Sequence, residues 1–517
     1  MSTPEIKEST SRAAGLDALP ADPRTRNRRW IGLSLGVVLA VIIYFIFPKD
    51  LSPELVESLA GKEIEASGHH IALTAAIAVL MGVWWMTEAI PLAATALVPL
   101  VAFPGLGVVG VSDAASPYAS GTIFLFLGGF FLALTMQRWN LHRRIALAVV
   151  LAVGTKPKQL VLGFMVATGF LTMWVSNTAT AVMMLPIGLS VLALVGTLRG
   201  DDTKRSNFGT ALMLGIAYSS SIMSLSTLIG TPPNALLRAN LADNYDINLN
   251  FGTWMLFATP LAIVFTLICW WLLVNVFYKP EMKEIPGGRG VIQEEYRKLG
   301  PMSRQEILTL IIFVGVALAW VTVPLIWEES NFSDEVIAMI LALVLFIVPA
   351  DVNKGVQLLD WDTAKEVPWD VLLLFGGGLS LSAMFTATGL SDWIGEAAGG
   401  LAGAPVILII AAVTALVIFL TEMTSNTATA AAFLPIMGGV ATGMDVDVML
   451  LMVPVALAAT CAFMLPVATP PNAIAYGSGY LQISQMVKAG VWLNIIGIVL
   501  ITLTVMTLGQ WVLGIAM

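Results

Sequence analysis

Long apolar runs, interrupted at intervals by short polar or charged words, dominate the chain. The first, residues 30–48, follows a polar segment whose Arg24, Arg26, Arg28 and Arg29 hold its start on the cytoplasmic side. It is span-length, and its polar leader is too long for a signal peptide. Residues 1–29 read as a disordered cytoplasmic tail. Five further spans follow at 71–87, 90–103, 121–138, 208–241 and 251–278. Five more come at 307–327, 336–349, 371–390, 448–484 and 491–517, after a charged cytoplasmic linker at 279–304. Apolar runs of this length favour helices over a barrel, so the fold expected is an all-α integral membrane protein.

Two apolar runs do not thread as simple spans. Residues 160–197 lie between Lys156/Lys158 and Arg199/Lys204/Arg205, so both ends belong on the cytoplasmic side. The arms 160–175 and 181–197 would rise only about 24–26 Å as helices, short of a core of about 30 Å. Short arms and a polar tip favour a re-entrant hairpin over two full spans. Residues 404–442 form the counterpart, flanked by Asp392, Glu396, Asp445 and Asp447 and opening to the outside. Eleven spans and two oppositely opened hairpins make an inverted repeat: residues 71–278 and 305–517, N-terminus inside, C-terminus outside.

The tips of the hairpins carry one word twice. Ser176-Asn177-Thr178-Ala179-Thr180-Ala181 runs on to Leu185-Pro186-Ile187; 249 residues later Ser425-Asn426-Thr427-Ala428-Thr429-Ala430 runs on to Leu434-Pro435-Ile436. A second shared word follows each: Thr231-Pro232-Pro233-Asn234-Ala235 and Thr469-Pro470-Pro471-Asn472-Ala473. Prolines remove helix donors, so the spans 208–241 and 448–484 are expected to break at Gly230–Asn234 and at Thr469. Packing of small residues or a kink explains one such word, but not nine identities in twelve positions followed by five in five. Polar groups at membrane depth line cavities.

New helices starting at Ala179, Ala235, Ala428 and Ala473 would bring four positive dipole ends near the midplane, which suits an anion. Asn177, Thr178, Thr231, Asn426, Thr427 and Thr469 could donate to carboxylate oxygens. Carbonyls freed at Gly230 and Ala468, with Asn, Ser and Thr oxygens, suit a small hard cation. No Lys or Arg lies in any of the four words, so helix dipoles and co-bound cations must offset the anion's charge. Thr172 and Thr421, one helical turn before each Ser, could complete the coordination shells.

Other features carry less. With 57% hydrophobic and 12% charged residues, a soluble domain is excluded. The basic residues sit in short loops, which speaks against nucleic acid. Cys269 and Cys461 lie in apolar runs without disulfide or metal spacing, and His69, His70 and His142 lie at run edges as interfacial residues. Glu88 reads as a capping or paired turn residue, and Glu422 as a water-facing or capped carboxylate. Gly128, Gly129 and Gly376–Gly378 read as close-packing positions, and most tryptophans as interfacial anchors. No paired acid, nucleophile or metal cluster suggests an enzyme.

At the two Ser-Asn-Thr tips and two Thr-Pro-Pro breaks the chain resembles the divalent anion/sodium symporter family, over nearly its whole length after Trp30. The resemblance implies one sodium site at Thr172, Ser176, Asn177 and Gly230, and a second at Thr421, Ser425, Asn426 and Ala468. It implies substrate carboxylates held by Asn177, Thr178, Thr231, Pro232, Asn426, Thr427, Thr469 and Pro470. It further implies a homodimer in the lipid bilayer, with a scaffold and a moving domain working as an elevator. Two intact Ser-Asn-Thr words are similar to the carboxylate-carrying branch. The expectation is a sodium-coupled symporter of C4-dicarboxylates such as succinate in a bacterial-type inner membrane, with no organic cofactor. A sodium-independent exchanger, a carrier of citrate, 2-oxoglutarate or sulfate, and, in another class, an anion channel or receptor stand as alternatives.

Overall fold

Helix boundaries follow local capping chemistry. Ser67, Ser303 and Ser333 each accept a backbone N–H from the first turn of the helix they precede, and Glu306 completes a capping box with Ser303. Proline occupies the first turn of Pro157–Thr172, Pro232–Tyr245 and Pro470–Gly477, where its missing N–H costs nothing. The computed structural model describes residues 23–58, 67–154, 156–199, 206–282, 284, 288–327, 331–401 and 403–516. Most of the expected tail, Lys204, Arg205, Glu328, Glu329 and parts of the linker lie outside the described residues.

The described chain is helical apart from one antiparallel pair, Pro349–Asp351 with Val356–Gln357. Seven helices are long and apolar enough to cross a membrane: Asn27–Ile46, Gly68–Thr87, Val111–Arg138, Phe251–Phe277, Arg304–Pro324, Trp369–Thr388 and Ile483–Leu513. The other four expected spans are short or interrupted. Residues 90–103 divide into Leu92–Thr95 and Val98–Gly105, and 336–349 is the 14-residue helix Asp334–Ile347. The remaining two are the broken helices.

The element order is repeated. Each half has a helix containing a Phe and paired glycines (Gly121–Arg138; Trp369–Thr388) and a short amphipathic helix (Leu141–Val153; Leu390–Ala398). Then come a hairpin (Pro157–Thr172 with Asn177–Arg199; Val406–Thr421 with Asn426–Gly443) and a broken helix (Asn207–Ser224 with Pro232–Tyr245; Met449–Ala459 with Pro470–Gly477). A long closing helix ends each half. The broken helices form the core: nearly all of Asn207–Ser224 and all of Met449–Ala459 are buried.

Several expectations change. The basic stretch after Arg138 is not a loop but starts the helix Leu141–Val153, and the linker contains the helix Gly288–Lys298. His142 is buried rather than interfacial, and Arg144 is buried rather than in a solvated loop. The Arg144 guanidinium meets Glu306 at 2.7 Å and donates to the carbonyls of Leu299, Gly300 and Pro301. The second arm of the first hairpin, Asn177–Arg199, has 23 residues and rises about 34 Å, so only the 16-residue first arm is short. Trp85, Trp254 and Trp320 are fully buried rather than interfacial. The glycines do lie at close approaches: a Cβ on Gly128 would stand 2.6 Å from the Ala338 carbonyl oxygen, and one on Gly377 2.3 Å from that of Ala96. Glu88 is a left-handed C-cap (φ 49°), its carboxylate 3.8 Å from Arg28.

Candidate functional site

The first hairpin turns between Thr172 and Asn177, and the turn brings side chains of both arms against the broken helix. Thr172 Oγ1 lies 2.9 Å from Asn177 Oδ1 and 3.0 Å from the Ser220 carbonyl oxygen. The second hairpin repeats this: Thr421 Oγ1 lies 2.8 Å from Asn426 Oδ1 and 2.9 Å from the Ala459 carbonyl oxygen. Both threonines are fully buried. A hydroxyl has one proton, so it can donate to only one of its two acceptors. With the Asn oxygens turned this way the remaining close oxygen pair is repulsive, and a positive charge among the three oxygens relieves it. Three neutral oxygens of a hydroxyl, a carboxamide and a main-chain carbonyl fit a small hard cation. Among the described residues no group of three His, Cys, Asp or Glu could hold a metal instead.

The prolines do not break the helices; they start the next ones. The first broken helix ends at Ser224 and the second at Ala459, before either Thr-Pro-Pro word, and the chain resumes helix at Pro232 and Pro470. The hairpin arms likewise resume at Asn177 and Asn426. The helix starts therefore lie two or three residues earlier than expected, which puts the polar words in the first turns where free N–H groups point outward. Asn234 and Asn472 have matching roles in holding the breaks open. Asn234 Nδ2 donates to the carbonyls of Leu225 and Thr227, and Asn472 Nδ2 to those of Ala462 and Leu465. Trp254 adds a hydrogen bond to Leu225.

The halves interlock. The second arm of each hairpin packs on the resumed helix of the other half: Asn177–Arg199 on Pro470–Gly477, and Asn426–Gly443 on Pro232–Tyr245. Thr231 and Thr460 hydroxyls meet at 3.2 Å. Thr469, by contrast, caps its own helix by accepting from the Asn472 N–H. Thr178 and Pro470 are exposed, Pro232, Asn177, Asn426, Ser176 and Ser425 are half-buried, and Thr231, Thr427 and Thr469 are buried. Ser176 and Ser425 carbonyls accept the first helical N–H groups, from Thr180 and Thr429. Gly230 sits against the Ser224 carbonyl, where a Cβ would come within 2.3 Å, and Ala468 is buried at the end of the second break.

Arg238, in the resumed helix of the first half, is engaged with Glu335 and Thr122 and lies 3.8 Å from Asp334. It offers no free charge to the tips. Two cavities lie behind the hairpins, of about 300 Å³ against Leu171 and Ile187 and about 220 Å³ against Leu420 and Ile436.

Of its two expected roles, Glu422 takes the capped one and not the water-facing one. It is buried, and four donors surround it: the backbone N–H groups of Phe463, Met464 and Leu465, and Asn494 Nδ2. The Ser220 and Ala459 carbonyls escaped the sequence, because main-chain oxygens carry no residue signature and Ser219-Ser220-Ser221 does not resemble Ala458-Ala459-Thr460.

Residues 28–515 match the family described as the sodium:sulfate symporter transmembrane region. The chain is similar to proteins named sodium-dependent dicarboxylate transporter SdcS. That of Staphylococcus saprophyticus is 41% identical over 493 residues, covering 94% of this chain and 92% of the relative. That of Staphylococcus aureus is 41% identical over 494 residues with the same coverage. Among solved structures, the YdaH transporter of Alcanivorax borkumensis superimposes with a TM-score of 0.56 at 12% identity. The match covers 93% of this chain and 98% of that one, a likeness of fold.

Proposed function

This chain belongs to the sodium:sulfate symporter family, and from that premise we propose that it imports C4-dicarboxylates such as succinate, driven by sodium entry. The single observation that carries this reading is the duplicated oxygen constellation, Thr172/Asn177/Ser220 and Thr421/Asn426/Ala459. The names of the SdcS relatives support the dicarboxylate and the sodium. The remaining assignments are Ser176, Ser425, Gly230 and Ala468 completing the cation shells, and Asn177, Thr178, Thr231, Pro232, Asn426, Thr427, Thr469 and Pro470 facing the substrate.

The coupling follows from the hairpin tips. Without a cation, the Thr hydroxyl and two oxygens compete for one proton, and the tip loses its fixed geometry. With one in each half, Asn177 and Asn426 are pinned by their oxygens. The helix starts they belong to then present N–H groups and the Thr178 and Thr427 hydroxyls toward a carboxylate. A dianion in a site without lysine or arginine is balanced by cations and helix dipoles. In this reading the halves are inverted in the bilayer, the protein works as a homodimer, and the hairpins and broken helices move together as an elevator in a bacterial-type inner membrane.

The test is uptake into proteoliposomes. Concentrative, saturable succinate uptake driven by an inward sodium gradient is expected. Uptake indifferent to sodium that requires internal dicarboxylate would make the protein an exchanger, and non-saturable flux would make it a channel.

A further inference from the structure

The three oxygens of each constellation match, yet their surroundings differ: the Ser220 and Ser224 hydroxyls stand by Asn177 in the first half, and a buried carboxylate follows Thr421 in the second. Glu422 follows Thr421 directly and closes the turn of the second hairpin. Its Oε1 accepts from the N–H groups of Phe463 at 2.7 Å and Met464 at 2.9 Å and from Asn494 Nδ2 at 2.8 Å; its Oε2 accepts from the Leu465 N–H at 3.1 Å. Every one of these partners is a donor, and three consecutive peptide N–H groups around one carboxylate form an anion nest. The arrangement serves the ionised form. The carbonyls of the same loop turn the other way, Ala462 and Leu465 accepting from Asn472. The loop is therefore clamped between a carboxylate on its N–H side and a carboxamide on its carbonyl side.

The first half lacks this carboxylate. The residue 249 positions before Glu422 is Met173, and the tie to the first break is a neutral hydrogen bond from Thr227 Oγ1 to the Met173 carbonyl at 2.5 Å. Asn234 supplies the carboxamide side of the clamp in the first half, as Asn472 does in the second. The equivalent contact is thus made by a charge in one half and by a hydroxyl in the other.

We propose that Glu422 is a positioning residue that makes the second constellation the tighter cation site, by fixing the loop that ends in Ala468 and by placing a negative charge next to Thr421. This rests on the reading that both constellations hold sodium. A buried charge near a cation is poorly screened and strengthens binding by about tenfold or more. The second site then fills at lower sodium, and the first fills later.

The test is sodium-dependent thermal stabilisation of the purified, full-length protein without substrate, titrated with sodium chloride against choline chloride. In the wild type, stabilisation in two phases is expected. Glu422→Gln, which keeps the shape and removes the charge, should raise the half-saturating sodium of the tighter phase about tenfold, and Glu422→Asp, which keeps the charge, should recover most of that loss. An unchanged titration in Glu422→Gln overturns the proposal. If that variant does not fold, Thr421→Val and Thr172→Val provide the second reading: the first should abolish the tight phase and the second the weak one. Equal effects of the two overturn the proposal. A wild type with no response to sodium refutes the cation reading itself, which separates that failure from failure of the Glu422 assignment.

Discussion

Thr231 Oγ1 and Thr460 Oγ1, 229 residues apart, meet at 3.2 Å and join the first break to the second. Thr231 precedes Pro232 at the start of a helix but does not cap it, so its hydroxyl is left for the other half. The pair is the one direct side-chain hydrogen bond between the two breaks among the described residues. Thr231→Val removes that contact and one proposed substrate donor while keeping the shape. An uptake titration should show succinate KM raised about tenfold, corresponding to one buried hydrogen bond of ~1.4 kcal/mol. Sodium half-saturation should change much less, since Thr231 lies in neither constellation. A sodium defect as large as the substrate defect would move Thr231 into the cation shell.

Gly230 needs its missing side chain. A Cβ there would stand 2.3 Å from the Ser224 carbonyl oxygen, a main-chain atom that cannot swing away. Gly230→Ala should destabilise the protein by about 1–3 kcal/mol through overpacking and abolish uptake. Gly82→Ala, with nothing within 4 Å of the added carbon, is the matched control and should melt and transport like the wild type. Equal behaviour of the two variants in a melting assay would remove the packing argument.

The Arg144–Glu306 pair ties the amphipathic helix Leu141–Val153 to the start of Arg304–Ile326, with both side chains only 7% exposed. Removing one partner leaves a buried charge, so Arg144→Leu should lower stability by about 3–5 kcal/mol. The double variant Arg144→Leu/Glu306→Leu should recover a large part of that loss. The thermal melts of the two variants, compared in one detergent, check this. A double variant no more stable than the single one would show that the hydrogen bonds to Leu299, Gly300 and Pro301, rather than the charge pair, hold the helix.

The paired words marked Thr172 and Thr421 by their place one turn before each Ser; in the structure their hydroxyls lie at hydrogen-bond distance from the residue after that Ser, Asn177 and Asn426. The words could not reveal the third oxygen, because the Ser220 and Ala459 carbonyls are main-chain atoms in unlike local sequences. Proline misled on where the helices break. At Pro232 and Pro470 its fixed φ starts a helix, and the actual ends, at Ser224 and Ala459, carry no proline. Which of its two roles Glu422 takes was not legible, because a single carboxylate in an apolar run looks the same whether it faces water or a nest of N–H groups. The helix Leu141–Val153 was hidden for a similar reason: Arg143 and Arg144 suggested a solvated loop, and only tertiary contact with Glu295 and Glu306 explains them.

In the proposed mechanism the two Thr-Asn constellations bind the coupling cation and thereby orient the substrate donors. Sodium-dependent succinate uptake by Asn177→Ala and Asn426→Ala, titrated in sodium and in succinate in the same proteoliposomes, tests it most directly. Each variant should need about tenfold more sodium and show a raised succinate KM, because each carboxamide serves both ligands. Sodium half-saturation at the wild-type value in both variants, whatever happens to succinate, would contradict it.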